Sequence, residues 1–487
     1  MAGAVAWFHG PQNNPVMQLY PAVDSGRPLA NRSIPVAGRG MATEYARVLL
    51  ESLGAQVTIS PGEDDPAPAV AWAGSGLMAL TGLADGLPQM CPAPLASCAD
   101  GAIKALGCIA VASDAGALPA GHALLGERAA VAGLQRNGIV SPGGGCRVLE
   151  GADGWFALSL VRATDWADVP AWLEEERVGS WETIAASVAS RRVGPLVERA
   201  RLLGLAACVS TRPSKAGRPW YAATRCGAPA LPARRPGRPR VVDLSSLWAG
   251  PLCTHLLQKL GAQVIKVESR SRPDGARNGP SAFYDLLNSG KRSVALSFDG
   301  NDTGRLHELL DWADIVIEAS RPRALRQLGV IAEECIARRS GLTWVSLTGY
   351  GRDEPEGNWT AFGDDAGVAA GLSALMVQVS GLPLICGDAI ADPLAGVHAA
   401  LAALAGLQGG GGWLLSIPLR DVVGHCAGFE RLPGDAATRD RWLAWTAEAR
   451  SLGVDATPPT ARSPAGSAPA LGADDGSALA GWEIACD

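Results

Sequence analysis

The apolar positions of this chain change period in the same order at two places. From residue 241 the run VVDLSS is apolar and ends in polar turn residues; LCTHLLQKLG then spaces its leucines along one face of a helix, and AQVIKVE returns to a short apolar run. That order predicts strand, helix and strand over residues 241–268, one βαβ unit of a parallel sheet, with Gly261 ending the helix. Residues 42–60, ATEYARVLLESLGAQVTIS, repeat the helix and the second strand. In CRVLEGADGWFALSL, Asp153 and Gly154 separate two apolar runs and predict a hairpin turn.

The two helix-strand stretches align at an offset of 207, sharing an Ala, the LL pair, a Leu and GAQV. A second pair, residues 76–106 over residues 371–401, aligns at an offset of 295 and shares GLP, a Cys, a Gly and Ala-Leu. The offsets differ by 88, so the first copy lacks 88 residues that the second holds between about Val267 and Gly371. A shortened and a full copy of one unit are expected.

Within the second copy, GDAIADPLAGVHAALAALAG sets Asp392 and Pro393 at the mouth of an alanine-rich helix. Asp is a favoured N-cap and Pro a favoured first helical residue, so a cap explains the pair. The first copy has Ser97 where the second has Asp392, and serine also caps. The backbone plan therefore does not require a carboxylate here, and capping and chemistry both stay open.

The chain has 487 residues, 47% of them hydrophobic and 18% charged, which suits roughly two to four folded domains. A net charge of -6 argues against a nucleic-acid partner, though a local basic surface can still meet a phosphorylated small molecule. Eleven cysteines without a CxxC pair, and six histidines that do not cluster with them, predict neither a zinc site nor a disulfide framework. The opening MAGAVAWFHGPQNN lacks a basic segment followed by an apolar core, and no long apolar span follows. A cytoplasmic protein without a membrane partner is expected.

The ordered series VVDLSSLWAGPLCTHLLQKLGAQVIKVE, LLNSGKRSVALSF, ADIVIEASRPRALRQLGV, LTWVSLTGYGRDEP and GDAIADPLAGVHAALAAL resembles the family III CoA-transferases, the group that includes formyl-CoA and carnitine CoA-transferases. The resemblance implies an α/β fold with Rossmann-like parallel sheet domains, one shortened and one full, plus a smaller α+β domain. It divides the chain into a shortened, degenerate copy over 1–120, the small domain over 121–211, a Pro/Arg-rich linker over 212–239, the full domain over 240–428 and a tail over 429–487.

The resemblance also places the family's catalytic aspartate at Asp392. It implies CoA transfer from an acyl-CoA donor to a carboxylic acid acceptor, with coenzyme A as substrate and neither metal nor redox cofactor. A helix N-terminus would lower the pKa of this carboxylate and orient it. CoA contacts carry over to Trp248 and Ala249, to Arg270, to Leu296 in the stretch Leu296-Ser297-Phe298-Asp299, and to Ser320, Arg321 and Arg326 around a turn where Ala319 and Ser320 replace the usual Asn-Phe. Arg323 is a further phosphate candidate, and Asp364 or Asp365 takes an acidic position before a helix.

Acyl-CoA racemases of the same fold place a histidine where this chain has Phe362, so two-base proton transfer lacks a partner for Asp392. His398, about two turns along, reads as a packing residue. A racemase or isomerase and an inactive CoA-binding protein remain the alternatives; a nicotinamide enzyme is disfavoured because no GxGxxG follows the strand at residue 241. In the family two chains interlock, and a double copy predicts a pseudo-dimeric monomer or a homodimer.

Overall fold

The computed structural model describes residues 27–110, 116–213, 218–230, 238–298 and 302–478. Asp299 and part of the Pro/Arg-rich linker lie outside the described residues. The N-terminal part runs β1 (Ser33–Arg39), α1 (Met41–Ser52), β2 (Gln56–Asp64), α2 (Pro68–Gly74), α3 (Leu95–Ile109), α4 (Gly121–Leu124) and α5 (Glu127–Ala132). A smaller α+β unit follows: β3 (Cys146–Gly151), β4 (Gly154–Ser159), α6 (Ala163–Leu173), α7 (Trp181–Val188), α8 (Val193–Leu202) and β5 (Ala206–Val209). Its strands form an antiparallel sheet, with Gly151 opposite Gly154 across the hairpin.

The larger unit contains β6 (Ala222–Arg225), β7 (Arg240–Leu244), α9 (Ala249–Lys259), β8 (Gln263–Ser269), α10 (Ser281–Asn288), β9 (Arg292–Leu296), α11 (Thr303–Trp312) and β10 (Ile315–Glu318). It continues through α12 (Pro322–Gln327), α13 (Ala332–Arg338), β11 (Thr343–Thr348), α14 (Gly363–Ala369), α15 (Leu372–Ser380), α16 (Ala391–Gln408), β12 (Trp413–Pro418), α17 (Leu419–Gly428) and α18 (Gly434–Ser451).

Seven strands order as β6-β12-β11-β10-β7-β8-β9, all parallel except β6, which runs antiparallel to β12. From β7 outward this is the doubly wound order of the Rossmann fold, which reverses direction between β7 and β10. Such sheets leave a crevice beyond the strand C-termini at that reversal. The linker reading needs correction, because the segment 212–239 contributes β6. Trp220 and Tyr221 anchor the strand on Ser52, which accepts from Trp220 Nε1 at 2.9 Å and, through its carbonyl, from the Tyr221 hydroxyl at 2.8 Å. Flanking prolines hide so short a strand from a period test.

The N-terminal part and the larger unit share geometric detail. In β1 and β2 Ser33 faces Gln56 and Ile34 faces Val57; in β7 and β8 Arg240 faces Gln263 and Val241 faces Val264, each position displaced by 207. A Cβ at Gly101 in α3 would stand 2.5 Å from Ala42 O and 2.9 Å from Tyr45 Cβ in α1. At Gly396 in α16 it would stand 2.7 Å from Ala249 O and 3.1 Å from Leu252 Cβ in α9. Both glycines permit helix backbones to approach where no side chain fits. Among the described residues the sheet of β1 and β2 has two strands, whereas β9, β10 and β11 of the larger unit lie between residues 267 and 371.

One apolar core joins α1, α3, α9, α16 and α17. Helix α16 is buried on nearly every face, as its all-round apolar sequence requires. No helix among the described residues is long and apolar enough to cross a membrane.

A candidate active site at the start of α16

Asp392 is the second residue of α16, not its cap; its side chain makes no capping hydrogen bond. Ser97 likewise lies inside the first turn of α3, with its buried hydroxyl unpartnered among the described residues. The capping explanation of both positions is therefore corrected: α16 starts two residues earlier than the Asp-Pro pair suggests, with Ile390 at its cap. Asp392 Oδ2 instead faces Gly363, where any side chain would collide with it and with the Ala389 carbonyl.

Three more carboxylates surround it. Asp364 accepts from Ala389 N at 2.7 Å, and Asp365 accepts from Phe362 N at 2.9 Å and from the Ser159 hydroxyl at 2.8 Å. Asp388, fully buried, is gripped by Arg128 from α5, with Nε at 2.8 Å from Oδ2 and the terminal nitrogen at 2.5 Å from Oδ1. The Arg128 guanidinium also lies 6.0 Å from the centroid of the Trp248 ring. A Cβ at Gly143, in the run SPGGGC, would meet that guanidinium at 3.4 Å, so the glycine loop lies against the ion pair.

Electrostatics reverse the expectation for Asp392. Burial raises its pKa to about 7, and Asp364, Asp388 and Asp365 add to the rise while Arg128 opposes it. Burial likewise lifts Asp364 to about 6 and Asp365 to about 7. The helix N-terminus is a weaker influence than desolvation beside three like charges.

Two non-glycine residues flank the site in left-handed backbone conformations, Leu247 at φ 68° and Ala389 at φ 43°. Each is held by a carboxylate: Leu247 N donates to Asp274 at 2.9 Å and Ala389 N to Asp364. Such backbone costs on the order of 1–3 kcal/mol and persists where surroundings enforce it. Beneath the first loop, buried Lys266 donates to Ser245 O at 2.9 Å and pairs with Asp274 at 2.9 Å. Lys291 of SGKRS is fully buried on Asp243, at 3.2 Å, and Thr254, at 2.8 Å. That motif supports the loop from below.

The CoA candidates divide. Trp248 and Ala249 start α9 beside Arg128, and Asp364 adjoins Asp392. Arg270 after β8, Leu296 at the end of β9, and Ser320 and Arg321 after β10 lie along the strand C-termini. Arg321 has no ion-pair partner among the described residues; burial and then Arg323, Arg162 and Arg272 lower its pKa, so an anion would find uncompensated charge. Leu296 is buried. Arg270 is engaged by Asp475 and Arg326 by Glu333 at 3.2 Å, so neither guanidinium is free as expected. A carboxylate from the tail and one from α13 each take one terminal nitrogen. His398 is buried inside α16, with Nδ1 2.7 Å from Leu394 O and Nε2 2.9 Å from the Tyr45 hydroxyl.

Residues 239–423 match the family model for CoA-transferase family III. The resemblance read from the ordered motifs is borne out over that segment. Succinyl-CoA--D-citramalate CoA-transferase of Chloroflexus aurantiacus is 31% identical over 37% of this chain and 47% of its own. The probable fatty acyl-CoA transferase Rv3272 of Mycobacterium tuberculosis is 32% identical over 36% and 48%, and formyl-CoA:oxalate CoA-transferase of Escherichia coli 28% over 38% and 47%. The crystal structure of Rv3272 superposes with a TM-score of 0.36, at 30% identity over 40% of this chain and 55% of that one. The chain spans about half the length of the curated relatives it matches.

Sequence reading missed Arg128, Asp388 and Ser159. Asp388 carried a signal, lying four residues before Asp392, and the triple glycine beside Arg128 carried another.

Proposed function

We propose that this protein transfers CoA between an acyl-CoA and a carboxylic acid with Asp392 as nucleophile. The carboxylate oxygen attacks the thioester carbonyl, the C–S bond breaks, and a mixed anhydride and CoA thiolate result. The thiolate attacks the aspartyl carbonyl, releasing the first acid as carboxylate and leaving an aspartyl-CoA thioester. The acceptor carboxylate attacks that thioester, and the freed thiolate then takes the acceptor's acyl carbon, regenerating Asp392. Charge balances without a net proton or an electron acceptor.

The observation that carries this reading is the Asp392 carboxylate set against Gly363 at a helix start, with no histidine beside it among the described residues. His398 is committed to Leu394 and Tyr45, which disfavours two-base racemisation. We further propose that residues 33–109 are a shortened copy of the larger unit, with Ser97 in place of the nucleophile. The shared strand register and the paired Gly101 and Gly396 contacts support that.

Intact-protein mass spectrometry after incubation with a panel of acyl-CoAs tests the chemistry. A CoA adduct on Asp392, removed by hydroxylamine and lacking in Asp392→Ala, is expected. CoA binding without any adduct across the panel would instead favour an inactive CoA-binding protein.

A further inference from the structure

A cavity of about 550 Å³ lies along β6, apart from the carboxylate cluster, and Arg27, Tyr221, Arg225, Trp413 and His425 line it. Among the described residues, no acidic side chain does. Arg225 stacks on the Trp413 indole, 4.6 Å from the ring centroid, and has no carboxylate partner among the described residues. Arg27 gives one N–H to the Glu51 carbonyl at 3.2 Å and has no carboxylate partner either. Arg225 is half-buried without a counter-ion, an incomplete arrangement since partly buried charge is ordinarily paired, and the exposed Arg27 adds a second guanidinium to the same lining.

The walls are fixed. Ser52 holds both Trp220 and Tyr221, as described above, and the neighbouring Trp413 is buried. His425 turns Nδ1 to the Tyr45 hydroxyl at 2.8 Å, while Nε2 has no protein partner among the described residues. Burial pulls its pKa down to about 4, which leaves a neutral ring.

We propose that this cavity is a second small-molecule site, taking a planar aromatic or heteroaromatic ring that bears a phosphate or carboxylate. The ring stacks on Tyr221, and the anion meets the Arg225 and Arg27 forks, whose donor spacing suits either group. The Tyr45 hydroxyl lies between His425 and His398, so the site adjoins a hydrogen-bonded path into α16, the helix that carries Asp392.

Calorimetric titration of the full chain with AMP and with benzoate tests this, alone and with saturating CoA. Saturable one-site binding of at least one probe is expected, unaffected by CoA and by Asp392→Ala, and weakened roughly tenfold or more in Arg225→Ala. AMP alone binding assigns the phosphate form, benzoate alone the carboxylate form. Ala223→Trp, at an exposed position on the rim, fills the cavity and removes binding without touching the core. Failure of both probes to saturate, competition by CoA, or affinity indifferent to both Arg225→Ala and Ala223→Trp overturns the proposal.

Discussion

Arg128 holds Asp388 at two points and is the cation that most opposes the upward shift of Asp392. Its removal leaves four acidic side chains to share one pocket. Arg128→Gln is expected to move the Asp392 ionisation upward from about 7, displacing the acid limb of the pH–rate profile of the acylation half-reaction toward higher pH. An unchanged limb would show that Arg128 serves only to pack Asp388.

In the wild type that limb should fall near pH 7, not near pH 4, because the attacking group must be ionised. Asp392→Asn should lower turnover on the order of 10³-fold or more, measured with any donor that labels the wild type.

The same shift predicts a stability difference. A carboxyl whose folded-state pKa lies above its unfolded value stabilises the fold when protonated, and that contribution is lost as pH rises from about 4 through 7. Asp392→Asn should therefore unfold a few degrees higher than wild type at pH 8, with the gap closing by pH 4. Thermal melts across that range provide the check.

Asp475 competes with any phosphate for Arg270. Asp475→Asn removes the charge yet keeps an oxygen for Ala295 N, which it now accepts from at 2.8 Å. CoA should bind several-fold more tightly to this variant, with a steeper salt dependence. Equal affinity would place the phosphates away from Arg270.

Gly101→Ala and Gly396→Ala should each destabilise by about 1 to 3 kcal/mol, since each methyl meets a helix carbonyl that cannot withdraw. Comparable penalties from urea melts support the two-copy reading; a tolerated Gly101→Ala would weaken it.

Where the chain repeats a period, the fold could be read: the 207-residue offset joins positions that occupy the same strand register. Asp392 could be found because its motif is local. Arg128 could not, because it meets Asp388 from 260 residues away on a short helix whose sequence advertises no chemistry. The direction of the Asp392 shift was misread for a related reason, since helix position is visible in sequence while the carboxylates assembled from α14 and from the loop before α16 are not. Arg270 was named for its charge, and its partner lies in a tail whose composition resembles a connector.

That tail also bears on how the protein is made. Strand β9 closes one edge of the large sheet, and its outward N–H groups at Ser293 and Ala295 are taken by Asp474 and Asp475. These aspartates leave the ribosome about 180 residues after the strand they cover. Until then the nascent sheet carries a bare hydrogen-bonding margin, the kind of surface that recruits foreign strands. Emergence of these two aspartates is thus the step that covers this margin of the growing chain.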